Sequence, residues 1–67
     1  MERGQEKMTI YIRRINGWIL IDDDAGNRMW YLYYSKRQAL MKFKYEFGYA
    51  RKRGIEIIDY TKNEPND

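Results

Sequence analysis

Basic and tyrosine side chains are interspersed over residues 36–53, and this combination could bind the phosphates and bases of a nucleic acid. Lysine and arginine neutralise phosphates and release counterions, which makes such binding sensitive to salt. Exposed tyrosine rings can stack on unpaired bases. The residues that we expect to contribute are Arg37, Lys42, Lys44, Tyr45, Tyr49, Arg51 and Lys52. An alternative interpretation is a solvated helix face whose only role is solubility.

The positive charge is concentrated in one part of the chain. Residues 28–54 include eight basic side chains and one acidic side chain, a net charge of +7, whereas the whole chain carries +3. The remaining residues therefore carry −4. A positive field confined to one element is typical of a polyanion-binding surface. The sequence holds no RNP-type aromatic motif and no GXXG loop. We expect binding through charge, without strong sequence preference.

A second candidate surface consists of aromatic, leucine and arginine residues on the predicted strands. Such a surface could stack bases, as sheet aromatics do in RNA-binding folds. It could equally bury itself against another chain, since tryptophan, tyrosine and arginine dominate interface hot spots. The predicted register pairs Leu20 with Trp30 and Trp18 with Leu32. Tryptophans paired with leucines favour an interface, and we expect a homodimer or a protein partner. The expected interface residues are Tyr11, Arg13, Trp18, Leu20, Trp30, Leu32 and Tyr34. On this alternative the protein is a small regulator or inhibitor, of the kind that mobile elements encode.

The sequence contains few of the side chains that enzymes commonly use for nucleophilic catalysis. There is no histidine or cysteine, and the one serine, Ser35, is expected to cap a helix. Glu56 and Asp59 would lie on opposite faces of a strand, and no glycine-rich phosphate loop is present. The acidic residues 22–24 lack the spacing of a calcium-binding loop and predict a solvated turn, with Asp22 paired to Arg28. We therefore expect a non-enzymatic protein without cofactor, metal or small-molecule substrate.

One helix must position the basic residues. Ser35 and Gln38 have the spacing of a capping box, which predicts that the helix begins at Lys36. The apolar residues that would then share one face are Ala39, Leu40, Phe43, Phe47 and Ala50.

The end of this helix is less strongly marked. We predict a helix over residues 36–53, with Gly54 in the left-handed conformation after it, because Ala50 keeps the apolar period. The alternative is an end near Phe47, because Gly48 inside a helix would cost about 1 kcal/mol.

Four strands complete the predicted fold. The Asn16-Gly17 turn predicts a hairpin between Met8–Ile15 and a second strand, in a register that places Ile10, Ile12, Ile19 and Ile21 on one face. Residues 28–34 would add a third strand, with Met29, Tyr31 and Tyr33 on the isoleucine face, and 55–60 a fourth. The prediction is a small α+β domain, an antiparallel sheet in β-β-β-α-β order with one amphipathic helix packed on one face.

Length and composition limit the remaining possibilities. Sixty-seven residues make one domain, and we assign residues 8–60 to it, with 1–7 and 61–67 as disordered tails. There is no cysteine to form a disulfide. No apolar run approaches the ~20 residues of a membrane span, and residues 1–8 do not resemble a signal peptide. We therefore expect a cytoplasmic protein with no membrane partner.

Overall fold

The hairpin around Asn16 and Gly17 forms as predicted. In the computed structural model, which describes residues 8–62, strands β1 (Met8–Ile15) and β2 (Trp18–Asp23) pair antiparallel. Asn16 and Gly17 both have positive φ angles, 52° and 86°, as a tight hairpin turn requires. The pairing of Ile15 with Trp18 and of Ile12 with Ile21 confirms the predicted register.

Strand β3 (Arg28–Tyr31) is shorter than the predicted 28–34. It pairs antiparallel with β2 and sets Trp30 opposite Leu20, as expected. The chain then leaves the sheet, and Tyr33 has a φ of 70° and a side chain 95% exposed. The predictions of Tyr33 on the isoleucine face and of a Trp18–Leu32 pair are therefore wrong. The physical reason is that the chain must turn away from the edge of the sheet to begin a helix at residue 36.

Helix α1 (Lys36–Glu46) begins at the predicted residue and ends earlier than 53. The Ser35 hydroxyl accepts from the Gln38 backbone N–H (3.1 Å), and the Gln38 side chain accepts from the Ser35 backbone N–H (3.0 Å), so the capping box is confirmed. Phe47 caps the other end, which is the alternative that the sequence left open. Gly54 is not the residue that follows the helix; it precedes the next strand.

Gly48 explains the early end of the helix. Its φ is +79°, and the N–H groups of Gly48 and Tyr49 donate to the carbonyls of Tyr45 (3.4 Å) and Lys44 (2.6 Å). These two bonds are those of a Schellman motif, in which a left-handed glycine terminates a helix. The glycine therefore stops the helix although Ala50 continues the apolar period.

Strand β4 (Ile55–Asp59) makes the sheet mixed rather than antiparallel. It pairs parallel with β1, and the strand order across the sheet is β3-β2-β1-β4. The prediction of an antiparallel sheet is wrong because α1 is a crossover. The helix returns the chain to the end of the sheet at which β1 and β3 begin, so β4 runs in their direction.

The core lies between α1 and one face of the sheet. Phe43 and Ala39 are fully buried against the isoleucine face, as predicted, and Met29 and Tyr31 join them. The strand isoleucines in this core are Ile10, Ile12, Ile19 and Ile21. The described residues form one small α+β domain in two layers. The predicted tail 1–7 and residues 63–67 of the predicted tail 61–67 lie outside them. Thr61, expected in a disordered tail, is fully buried.

Candidate functional site

The basic surface is formed by α1 and by the loop that follows it. We use this name for the cationic side chains of α1 and of the loop that follows it, which are Arg37, Lys42, Lys44, Arg51, Lys52 and Arg53. All are exposed except Lys44, which is half-buried. Within residues 8–62 none of the six forms an ion pair. Their charge is therefore not neutralised by a carboxylate of the part of the chain that the structure describes.

Tyr45 lies within the basic surface and is 80% exposed. Together with Gln38, Met41 and Lys42 it lines a shallow and mainly apolar depression on the outer side of the helix. A ring that is solvated on this scale carries no structural role in the core, and an aromatic face beside cations is the arrangement that stacks on an unpaired base. Arg37, Lys42 and Tyr45 thus lie where the sequence predicted them.

Tyr49 is placed differently from the prediction. It lies beyond the helix, half-buried, with its ring 6.3 Å from that of Phe43. Its hydroxyl donates to an Asp23 carboxylate oxygen at 2.8 Å and accepts from the Asn27 side-chain amide at 3.0 Å. Since Tyr49 is packed and hydrogen-bonded, it is not exposed for stacking. It instead fixes the loop that presents residues 51–53.

Asp23 is the acceptor at the centre of this contact, which we call the Asp23–Tyr49 contact. Its nearly buried carboxylate also accepts from the backbone N–H groups of Ala25 and Asn27, each at 2.9 Å. Burial alone would raise the pKa of Asp23, but the hydrogen bonds from Asn27, Tyr49 and Ala25 outweigh it and lower the pKa. Burial and the bond to Asp23 raise the pKa of the Tyr49 hydroxyl. The prediction of a solvated turn over residues 22–24 is therefore wrong for Asp23, which is nearly buried and holds the turn in place through these hydrogen bonds.

A second polar cluster ties the start of α1 to the end of β4. The Lys36 ammonium donates to Asp59 at 2.8 Å and to the Thr61 hydroxyl at 2.6 Å, and the Asp59 and Lys36 side chains are only 16% and 19% exposed. Burial would raise the pKa of Asp59, but Lys36 and Thr61 together lower it. Lys36 therefore stabilises the fold and is not part of the basic surface.

The opposite side of the sheet carries the second candidate surface. We call it the aromatic sheet face, and it is left uncovered by α1, which packs on the isoleucine side. The predicted residues Tyr11, Arg13, Trp18 and Trp30 lie on it, and Leu20 lies between them and is 5% exposed. The Trp18 and Trp30 rings meet edge to face with centroids 6.3 Å apart. The structure therefore brings these five residues together on one face, as the sequence predicted.

Two predicted interface residues lie elsewhere. Leu32 follows the end of β3, and the Tyr34 ring packs at 5.4 Å against Tyr31, a residue of the core face. Two residues that the sequence did not assign to the interface belong to the face instead. Tyr60 stacks beside Tyr11 at 6.4 Å because β4 is parallel to β1, and Ile15 extends the alternation of β1 to the hairpin turn. The alternation could have identified Ile15, but Tyr60 depends on strand order.

Charges on the aromatic sheet face are compensated within it. Asp22 contacts both Arg13 (3.4 Å) and Arg28 (3.9 Å), and the latter pair is the one predicted. The Arg13 guanidinium also lies 5.8 Å from the centre of the Tyr11 ring and 5.4 Å from that of Tyr60, within cation–π range. The Tyr11 hydroxyl donates to Asp24 at 3.2 Å, and this contact is the main reason that its pKa is raised.

The described residues offer no candidate metal site. Over residues 8–62 no three acidic side chains converge as metal ligands would. No helix in this part of the chain combines the length and the apolar character that crossing a bilayer demands.

Comparison with protein-family models, curated proteins and solved structures finds no match to this chain. The functional argument therefore depends on the geometry of the two surfaces.

Proposed function

We propose that the protein binds nucleic acid through the basic surface, without strong sequence preference. The observation that carries the proposal is that six cationic side chains, on α1 and the loop that follows it, lack an ion-pair partner within the described residues. Structural cations in this protein behave otherwise, since Lys36, Arg13 and Arg28 each contact a carboxylate. Unpaired cations gathered on one helix and its loop are suited to a ligand that supplies the negative charge.

The geometry favours an extended polyanion over a small anion. Arg37 and Lys44 lie in the first and last turns of an 11-residue helix, whose length is about 16 Å. Residues 51–53 follow in the loop beyond its end. A nucleic-acid strand presents phosphates over this distance, and Tyr45 would meet its bases where they are unpaired.

The salt dependence of binding provides the first test. If about three phosphates are contacted, the logarithm of the association constant should fall against the logarithm of salt concentration with a slope of about −2.7 for a duplex and about −2.1 for a single strand. Raising the salt from about 50 to 200 mM should then weaken binding about 40-fold for the duplex and about 20-fold for the single strand. Fluorescence anisotropy with labelled single-stranded and duplex oligonucleotides measures both values. An absence of binding at low salt would refute the proposal.

Substitutions locate the contact on the helix side. The triple variant Lys42→Ala, Lys44→Ala, Arg51→Ala should bind at least about 10-fold more weakly and show a smaller salt slope. Arg51→Gln and Arg28→Gln form a matched pair, because each removes one exposed arginine charge, the first from the basic surface and the second from the aromatic sheet face. We expect only the first to lower affinity. Equal effects would mean that net charge, and not this surface, governs binding.

A further inference from the structure

The aromatic sheet face leaves large apolar side chains in water at the hairpin end. Trp18, Trp30 and Ile15 are 40%, 44% and 40% exposed, and with Asn16 they line a mainly apolar depression. Trp18 and Trp30 already contact each other edge to face, so they form one patch. A contiguous apolar patch of this kind is characteristic of an interaction surface.

The charges of this face decide what can cover it. Its two arginines, Arg13 and Arg28, share one carboxylate, Asp22, and the Asp24 carboxylate accepts from the Tyr11 hydroxyl and from the Thr9 backbone N–H at 3.1 Å. With Glu56 on the same side, the described residues of this face include two positive and three negative side chains. It has no excess of cations to attract a nucleic acid, which distinguishes it from the basic surface.

We propose that a second copy of this chain covers the aromatic sheet face in a symmetric dimer. A two-fold interface brings a surface against itself, so the surface must be free of a large charge of one sign. The aromatic sheet face satisfies this condition, and the basic surface does not, because two copies meeting there would oppose six cations with six more. Stacked sheets would leave both helices on the outside and unite the tryptophans in one core.

The size of the face sets the expected strength. Four strands at a spacing of about 4.8 Å and about five residues at 3.3 Å give a footprint of about 300 Å². This footprint is below the ~800 Å² per partner of a standard interface, so the dimer should dissociate at micromolar concentrations or above. Exchange between monomer and dimer is therefore expected within the range that sedimentation measures.

The two tryptophans of the chain provide the probe, because both lie on this face. Sedimentation velocity and tryptophan emission should be followed on dilution from about 1 mM to about 1 μM. We expect dimers to give way to monomers, with a red shift of the emission over the same concentrations as the indoles return to water. Trp30→Ala should weaken dimerisation at least about 30-fold, as truncation of a hot-spot tryptophan does.

Two further variants make the test decisive. Ile15→Lys adds a like charge to each copy at an exposed position beside the turn and should weaken the dimer comparably, so it decides the question if Trp30→Ala does not fold. Tyr45→Ala removes an aromatic ring from the helix side and should leave the dimer unchanged. A chain that stays monomeric at about 1 mM would overturn the proposal. A dimer indifferent to both substitutions would overturn it too, as would a monomer whose tryptophans are quenched by a single-stranded oligonucleotide.

Discussion

The Asp23–Tyr49 contact allows a test of the structure that does not depend on function. Tyr49→Phe removes one hydroxyl that donates to a nearly buried carboxylate at 2.8 Å and leaves the ring against Phe43. Hydrogen bonds to charged groups contribute about 1.5–3 kcal/mol, and Asp23 keeps its bonds from Ala25 and Asn27, so we expect a loss near the lower limit, about 1.5 kcal/mol. For a domain of this size the loss lowers Tm by about 6–12 °C.

The same loss should depend on pH with a definite sign. Hydrogen bonds lower the pKa of Asp23 from its ordinary value of 3.8 in the folded state. A carboxylate with a lowered folded pKa stabilises the protein above its unfolded pKa, and this contribution disappears as the pH falls through the folded pKa. The difference between Tyr49→Phe and the original chain should therefore be full at pH 7. Below pH 3.8 this difference in the free energy of unfolding should become smaller. The reason is that a hydrogen bond between neutral groups contributes only about 0.5–1.5 kcal/mol.

Urea unfolding monitored by tryptophan emission, at pH 7 and again below pH 3.8, measures this difference. Tyr31→Phe is the matched control, because the Tyr31 hydroxyl is buried with no hydrogen-bond partner within the described residues. Removing that hydroxyl relieves an unpaired polar group, so the free energy of unfolding should stay equal or rise by up to about 1 kcal/mol. If Tyr49→Phe were within about 0.5 kcal/mol of the original chain at pH 7, or if both variants lost the same amount, the hydrogen bond would not hold the loop as described.

The end of the helix and the Lys36–Asp59 ion pair each predict the sign of a change in stability. Gly48→Ala should lower the free energy of unfolding by about 1–2 kcal/mol, since a φ of +79° strains any residue with a Cβ, and Gly48→Asn should lose less because asparagine tolerates this conformation better. Thermal unfolding ranks the two, and the reverse order would contradict the Schellman end. Lys36→Met should cost about 1–3 kcal/mol at pH 7, because it leaves Asp59 half-buried without its cation. A double-mutant cycle with Asp59→Asn measures this coupling. Because the pKa of Asp59 is lowered from 3.8, the coupling should diminish only below pH 3.8; a coupling near zero at pH 7 would refute the ion pair.

Local signals account for what the sequence predicted correctly. The Asn16-Gly17 turn fixes the register of the hairpin, and strict alternation then determines which side chains share a face. Ser35 and Gln38 mark the start of the helix for an equally local reason. The predicted end of the helix at residue 53 was wrong, because the apolar period continues past Gly48 whereas the left-handed conformation of Gly48 ends the helix.

Contacts between distant segments account for what the sequence did not predict. The parallel pairing of β4 depends on where the helix delivers the chain, and Tyr60 reaches Tyr11 only as a result. The role of Asp23 had a signal that was not used: the predicted register sets it opposite Ile10 on the core face, where a carboxylate needs several donors. One of these donors, the Tyr49 hydroxyl, lies outside the turn and 26 residues further along the chain, so the sequence pattern near Asp23 does not reveal it.

The partition of charge is what allows the two proposals to be tested separately. Asp22 holds both arginines of the aromatic sheet face, and Asp59 holds Lys36. The six cations of the basic surface, which have no ion-pair partner among the described residues, lie on α1 and the loop after it and not on the strands that carry the tryptophans. No residue is required by both surfaces, so a variant of the basic surface should lose nucleic acid while the dimer persists, and Trp30→Ala should do the reverse. Joint loss in a variant that still folds would show that one surface performs both roles, and the separation of charge would then have no functional meaning.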